Sequence, residues 1–204
     1  MRLNGSGQSS TKKMSFMKKF SLVSLLLLLA FNGKAQADTT RSGLLYGYNH
    51  AFYLTAPVGW IMDTESGKDM GITAVFYPQG SSWADGETVM YTTFTSFDTT
   101  KNETLKDVLK YDSIQYKTTS PNIRITQQKT IQVGKGRMAS VWGYAGDANG
   151  NYELVAYIPE HKGVTMIIIS SRSKNGCTNN YRNFESLVRS YRFLTDQVNI
   201  QLGR

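Results

Sequence analysis

Apolar and polar positions alternate along "LLYGYN" (residues 44–49) and "AFYLTAP" (residues 51–57), which predicts two short strands. In the second, Phe52 and Leu54 share one face, Tyr53 and Thr55 the other. Pro57 ends the ladder because it has no N–H to donate. "PVGWIM" then predicts a turn, with Trp60 folding back as a plug for the core. "GITAVFYP" (71–78) reads as the next strand. A polar loop carrying Trp83 and Gly86 follows, then "ETVMYTTFTSF" (87–97), where Val89, Tyr91 and Thr93 alternate with Met90, Thr92 and Phe94.

The period then changes. Thr100-x-x-Glu103 has the form of a capping box, and behind it Leu105, Val108, Leu109 and Tyr116 fall on one side at helical spacing. Asp112 is the polar exception on that stripe. The pattern predicts a helix over 101–117, ending before Pro121. Four strand-like runs come next: "IRITQQKTIQV", "GRMASVWGYAG", "YELVAYIPE" and "GVTMIIISSR". "DANGN" (147–151) is the strongest hairpin signal, since Asn-Gly adopts the positive φ values of a tight turn. "VTMIIIS" is apolar on both faces and predicts a central strand covered from both sides. After a polar loop, "KNGCTNN", the residues Tyr181, Phe184, Val188 and Tyr191 set the stripe of a second helix, and "FLT" closes the domain.

Strands, helix, strands, helix, with hairpins between most neighbouring strands, give an α+β fold: a largely antiparallel β-sheet covered by helices. The pattern contains no internal repeat and no long linker. It predicts one domain, 38–195, with a C-terminal tail at 196–204.

The N-terminal residues change the charge picture. In residues 17–37, Lys18 and Lys19 precede an apolar run from Phe20 to Phe31, and Ala35-Gln36-Ala37 has the small-x-small form of a signal-peptidase site. This predicts a cleaved signal peptide, with residues 1–16 an upstream extension or cloning remnant. The apolar run is shorter than the roughly 20 residues that span a bilayer, so no stable membrane insertion is expected after cleavage. The full chain has 23 basic and 15 acidic residues, a formal +8. Six of the basic residues (Arg2, Lys12, Lys13, Lys18, Lys19, Lys34) lie before residue 38, leaving 17 basic against 15 acidic. A net +2 without a run of like charges argues against a nucleic-acid partner. The single cysteine, Cys177, rules out an intrachain disulfide and any site built on several thiolates. It is either a buried small residue or a thiol able to pair with a second chain.

Motifs of chemistry are sparse. Nucleophilic hydrolysis needs Ser or Cys with a His base, but His50 in "YNHAF" and His161 in "PEHKG" both read as turn residues, and no G-x-S-x-G elbow occurs. No catalytic residue and no cofactor are expected. In "DANGNYE" the alternation of Asp147, Asn149, Asn151 and Glu153 imitates half a calcium loop. Its sixth and twelfth positions are Tyr152 and Ile158, where such a loop needs Gly and Glu, so no metal is expected. "VGKGR" (133–137) lacks the spacing of a phosphate loop and reads as a glycine hairpin. Lys174, Thr178 and Arg182 flank the start of the final helix and form a candidate anion site, with ordinary capping by Thr178 or Asn179 as the alternative. Trp83, in "PQGSSWADGE", is either a contact for a partner or an indole folded over the sheet edge.

The strand and turn "FYLTAPVGW", the helix "ETLKDVLKYDSIQY", the hairpin strands "GRMASVWGYAG" and "YELVAYI", and the terminal "NFESLVRSYRF" together resemble the PsbP-like superfamily over about residues 44–194. The superfamily includes the photosystem subunit of that name, the Ran-binding Mog proteins and exported bacterial domains. The resemblance implies an α/β/α sandwich whose relatives bind protein partners. Together with the leader, it sets the expectation of an exported protein, periplasmic or secreted. Its role would be non-catalytic: an envelope accessory or assembly factor that binds a protein partner. The alternative is a small-molecule or lipid-binding module with a pocket between helix and sheet.

Overall fold

The strand containing "VTMIIIS" organises the molecule. In the computed structural model, which describes residues 41–47, 50–134 and 136–198, this segment is β10 (Gly163–Ser171), and all but one of its residues are buried. The expected leader, the extension before it and residues 199–204 of the tail lie outside the described residues.

The remaining strands, in chain order, are β1 (Ser42–Gly47), β2 (His50–Thr55), β3 (Trp60–Asp63), β4 (Ala74–Pro78), β5 (Thr88–Ser96), β6 (Arg124–Gln127), β7 (Ile131–Val133), β8 (Arg137–Ala145), β9 (Tyr152–Pro159) and β11 (Arg192–Thr195). A middle helix covers Leu105–Thr119, a short helix Lys174–Asn179 and a final helix Tyr181–Ser190. The large sheet runs β3-β4-β5-β10-β9-β8-β6, with β7 also paired to β8, and a small sheet runs β1-β2-β11. Every pairing among the described residues is antiparallel. This is the predicted α+β sandwich.

The large sheet separates two cores because alternate residues face opposite ways. Val141, Ala156, Ile158, Ile167 and Ile169 pack under the final helix and the inner face of the small sheet, against Phe52, Leu54, Phe184 and Val188. Tyr144, Val155, Tyr157, Met166 and Ile168 face the middle helix, meeting Val108, Leu105 and Leu109. Trp60 is buried in the first core as predicted. It follows a turn closed by its own N–H to Pro57 O at 3.1 Å, and Gly59 supplies the positive φ of 78° that the turn needs.

Three sequence expectations are corrected. The middle helix starts at Leu105, four residues later than predicted. Its capping box is Thr104-x-x-Asp107, while Asp98 and Glu103 instead cap a 3-10 turn that ends at Asn102 in the left-handed region. "IRITQQKTIQV" is two strands. Gln127 and Ile131 are four positions apart, but their partners Trp142 and Ala139 are three apart. That extra residue turns Ile131 to the opposite face from Ile125. Finally, "KNGCTN" is a helix, capped by Ser173, whose hydroxyl accepts the N–H of Gly176 at 3.0 Å.

Candidate interaction surface

The small sheet buries one face and exposes the other. Leu45, Phe52 and Leu54 point into the core. On the outer face Leu44 lies directly opposite Tyr53, and Tyr46 is two residues along the same strand. Leu194, the extra residue where the register of β11 shifts, adds a further apolar side chain. Leu44, Tyr46 and Leu194 are each more than half exposed. The sheet is held from behind by Ser190 in the final helix, whose hydroxyl accepts the N–H of Thr55 at 3.0 Å. An apolar, partly aromatic surface is thus mounted on a rigid support.

Trp83 is half-buried. Its ring lies edge-on to Tyr91, with centroids 5.8 Å apart, so the indole folds back onto the large sheet. The proposed anion set is divided between two elements. Lys174 and Thr178 belong to the short helix, where the Thr178 hydroxyl donates to Lys174 O at 3.0 Å. Arg182 belongs to the final helix, whose N-cap, Asn180, makes no side-chain capping bond. The candidate cap Thr178 therefore closes neither helix start.

His50 is not a turn residue. It begins β2, is 7% exposed and stacks on Phe94 with ring centroids 3.9 Å apart. His161 is at the surface, its Nδ1 3.1 Å from Asp196 Oδ2. Asp147 organises the hairpin it was read from: its carboxylate accepts the N–H groups of Asn149 at 2.9 Å and Asn151 at 2.7 Å. No group of three or more His, Cys, Asp or Glu among the described residues could hold a metal ion. Cys177 is buried, with its thiol donating to Tyr152 O at 3.0 Å. Burial, with Glu153 adding to it, pushes that thiol up to about 11.

The polar cluster that sequence reasoning missed joins the middle helix to the large sheet. Asp112 Oδ2 accepts the Tyr157 hydroxyl at 2.9 Å, and Tyr144 O–H lies 2.8 Å from Tyr157 O–H. One turn on, Tyr116 donates to Glu153 Oε2, stacks on Tyr144 with centroids 4.1 Å apart, and shares Glu153 with Tyr91. Burial raises both carboxyls, Asp112 and Glu153, above their ordinary values. Asp112 on an apolar stripe was the one visible signal.

No family model matches the sequence, and no curated protein matches it. Solved structures do. The solution structure of cyanobacterial PsbP (CyanoP) from Synechocystis sp. PCC 6803 matches with a TM-score of 0.51 and 12% identity, covering 81% of this chain and 99% of that one. The Ran-binding protein Mog1p of Saccharomyces cerevisiae matches with a TM-score of 0.46 and 12% identity, over 74% of this chain and 93% of that one. LpqN of Mycobacterium tuberculosis, described as involved in cell envelope biogenesis, matches with a TM-score of 0.44 and 13% identity, over 78% and 87%. No helix among the described residues is long and apolar enough to cross a membrane. Taken with the element order and the antiparallel sheet, the likeness to cyanobacterial PsbP shows that this chain has the PsbP-like fold.

Proposed function

We propose that this is an exported, non-catalytic binding protein, an accessory or assembly factor of the cell envelope that engages a protein partner through the outer face of the small sheet. One observation carries the reading: Leu44, Tyr46 and Tyr53 are exposed together on one sheet face, with Leu194 beside them. A cluster of large apolar and aromatic side chains exposed on one sheet face has the composition of a protein-binding surface. Export rests on the leader pattern of residues 17–37. The non-catalytic reading is supported by the histidines: His50 is packed into an aromatic stack, and His161 stands in solvent.

The test is a crosslinking pull-down from the envelope fraction of the source organism, using residues 38–204 and mass-spectrometric readout. The expected result is one enriched protein whose capture is lost in Tyr46→Ser/Tyr53→Ser and kept in Trp83→Ala. Loss only in Trp83→Ala would move the surface to the β4–β5 loop. No enriched protein would overturn the partner reading.

A further inference from the structure

A trough runs along β8 on the side opposite the middle helix, and it exists because two neighbouring positions on that face are small. Gly143 lies between Thr126 on β6 and Leu154 on β9, and Ala145 between Arg124 and Tyr152. Residues paired across a ladder share a face, so each row has tall walls and a low floor. A Cβ on Gly143 would sit 3.2 Å from Gln128 Nε2, 3.2 Å from Thr126 Oγ1 and 3.3 Å from Leu154 Cδ2. Those three side chains close in over the buried glycine, so this row is narrow, and the open space lies outward of them and over Ala145. The short and final helices flank the trough with Cys177, Thr178 and Tyr181, leaving a half-open space of about 310 Å³. At its mouth the space adjoins a second hollow of about 480 Å³, lined by Arg124 and Lys174 together with Tyr152 and Ala145. Neither cation is in an ion pair among the described residues.

The geometry points to a binding site for a small aromatic carboxylate. Two cations at one end of a mostly apolar trough recognise an anionic head. Tyr152 rises from the sheet beside Ala145 and Tyr181 projects from the final helix, so a ring entering the trough over Ala145 meets aromatic side chains. Gln128, Thr126 and Thr178 set polar groups along the rim. A volume of about 310 Å³ is at the lower end of the roughly 300–1,000 Å³ of small-molecule pockets, which suits a ligand built on a single ring. This site lies apart from the outer face of the small sheet and does not depend on a protein partner there.

The probe is 4-hydroxybenzoate, titrated into ¹⁵N-labelled residues 38–204 and followed by amide shifts. Saturable shifts at Gly143, Ala145, Tyr152 and Lys174 are expected, with a Kd on the order of 0.1–1 mM for so small a ligand. The neutral 4-hydroxybenzamide binds about tenfold more weakly if the cations read the head. Lys174→Ala/Arg124→Ala reproduces that loss in a variant altered only at exposed side chains, and Gly143→Val removes binding by filling the trough. Equal affinity for acid and amide, or shifts that do not saturate by about 10 mM, overturns the site. Octanoate binding more tightly than 4-hydroxybenzoate overturns the aromatic class.

Discussion

The hydroxyl of Tyr157 donates to Asp112 Oδ2 at 2.9 Å while lying 2.8 Å from the hydroxyl of Tyr144. A carboxylate on a helix is thereby held by a strand tyrosine that is itself held by its neighbour on β8. In Tyr157→Phe the half-buried Asp112 loses its donor. The expected cost is about 1–3 kcal/mol, read as a lower urea midpoint with an unchanged slope. In Asp112→Asn the side-chain oxygen still accepts, and the cost is smaller.

Glu153 makes stability pH-dependent. Burial raises its carboxyl above the ordinary 4.5, and Asp147 adds to the rise, while hydrogen bonds from Tyr116, Ser170 and Tyr91 pull it down. A carboxyl raised in the folded state gives its full stabilisation below its unfolded value and loses it as pH rises through the folded one. Melting temperatures of Glu153→Gln should therefore vary less with pH above about 4.5 than those of the wild type. Asp112, also raised by burial, makes Asp112→Asn/Glu153→Gln flatter still. Thermal melts across this range decide it, and a wild type that gains on Glu153→Gln as pH rises would show that the hydrogen bonds outweigh burial.

Gly163 opens β10 against the backbone of β5. A Cβ there would run into the carbonyl oxygen of Thr95 and the ring of Phe94. Backbone cannot swing aside as a side chain can, so Gly163→Ala is expected to cost about 1–3 kcal/mol, or to abolish folding. Chemical denaturation measures it, with Gly59→Ala as a comparison in which strain comes from φ alone.

The thiol of Cys177 should be close to inert in the native protein. Pushed up to about 11 from an ordinary 9.0, it has about 100-fold less thiolate than a free cysteine at pH 8. Reaction with an aromatic disulfide reagent should be slow until urea is added, then stoichiometric. Fast native labelling would place the short helix in exchange with an open form.

The sheet was legible because its strands carry strong alternation. Phe52 and Leu54 against Tyr53 gave the correct buried face, and the two-sided apolar run of β10 correctly marked the centre. Legibility failed where two local signals competed. Thr100-x-x-Glu103 and Thr104-x-x-Asp107 are both capping frames, and only tertiary packing of Leu105 and Val108 selects the second. The short helix was hidden because Asn, Gly, Thr and Cys are poor helix formers. It forms because Ser173 caps it and Cys177 buries against the core. The trough was invisible for a different reason: a small residue leaves space only when its cross-strand partners are known. Gly143 means nothing until Thr126 and Leu154 are placed on either side of it.

The pairing of β2 with both β1 and β11 has a consequence for timing. The first two strands pair as a hairpin of neighbouring residues, but the second edge of β2 has no partner until the last strand has been made. Phe52, whose ring lies 5.3 Å from Tyr191, waits for the same C-terminal stretch. Closure of the small sheet is therefore a late, long-range event, of the kind that slows folding. For the export proposed above, such an order would delay commitment to the native topology until the C-terminal strand has crossed the membrane.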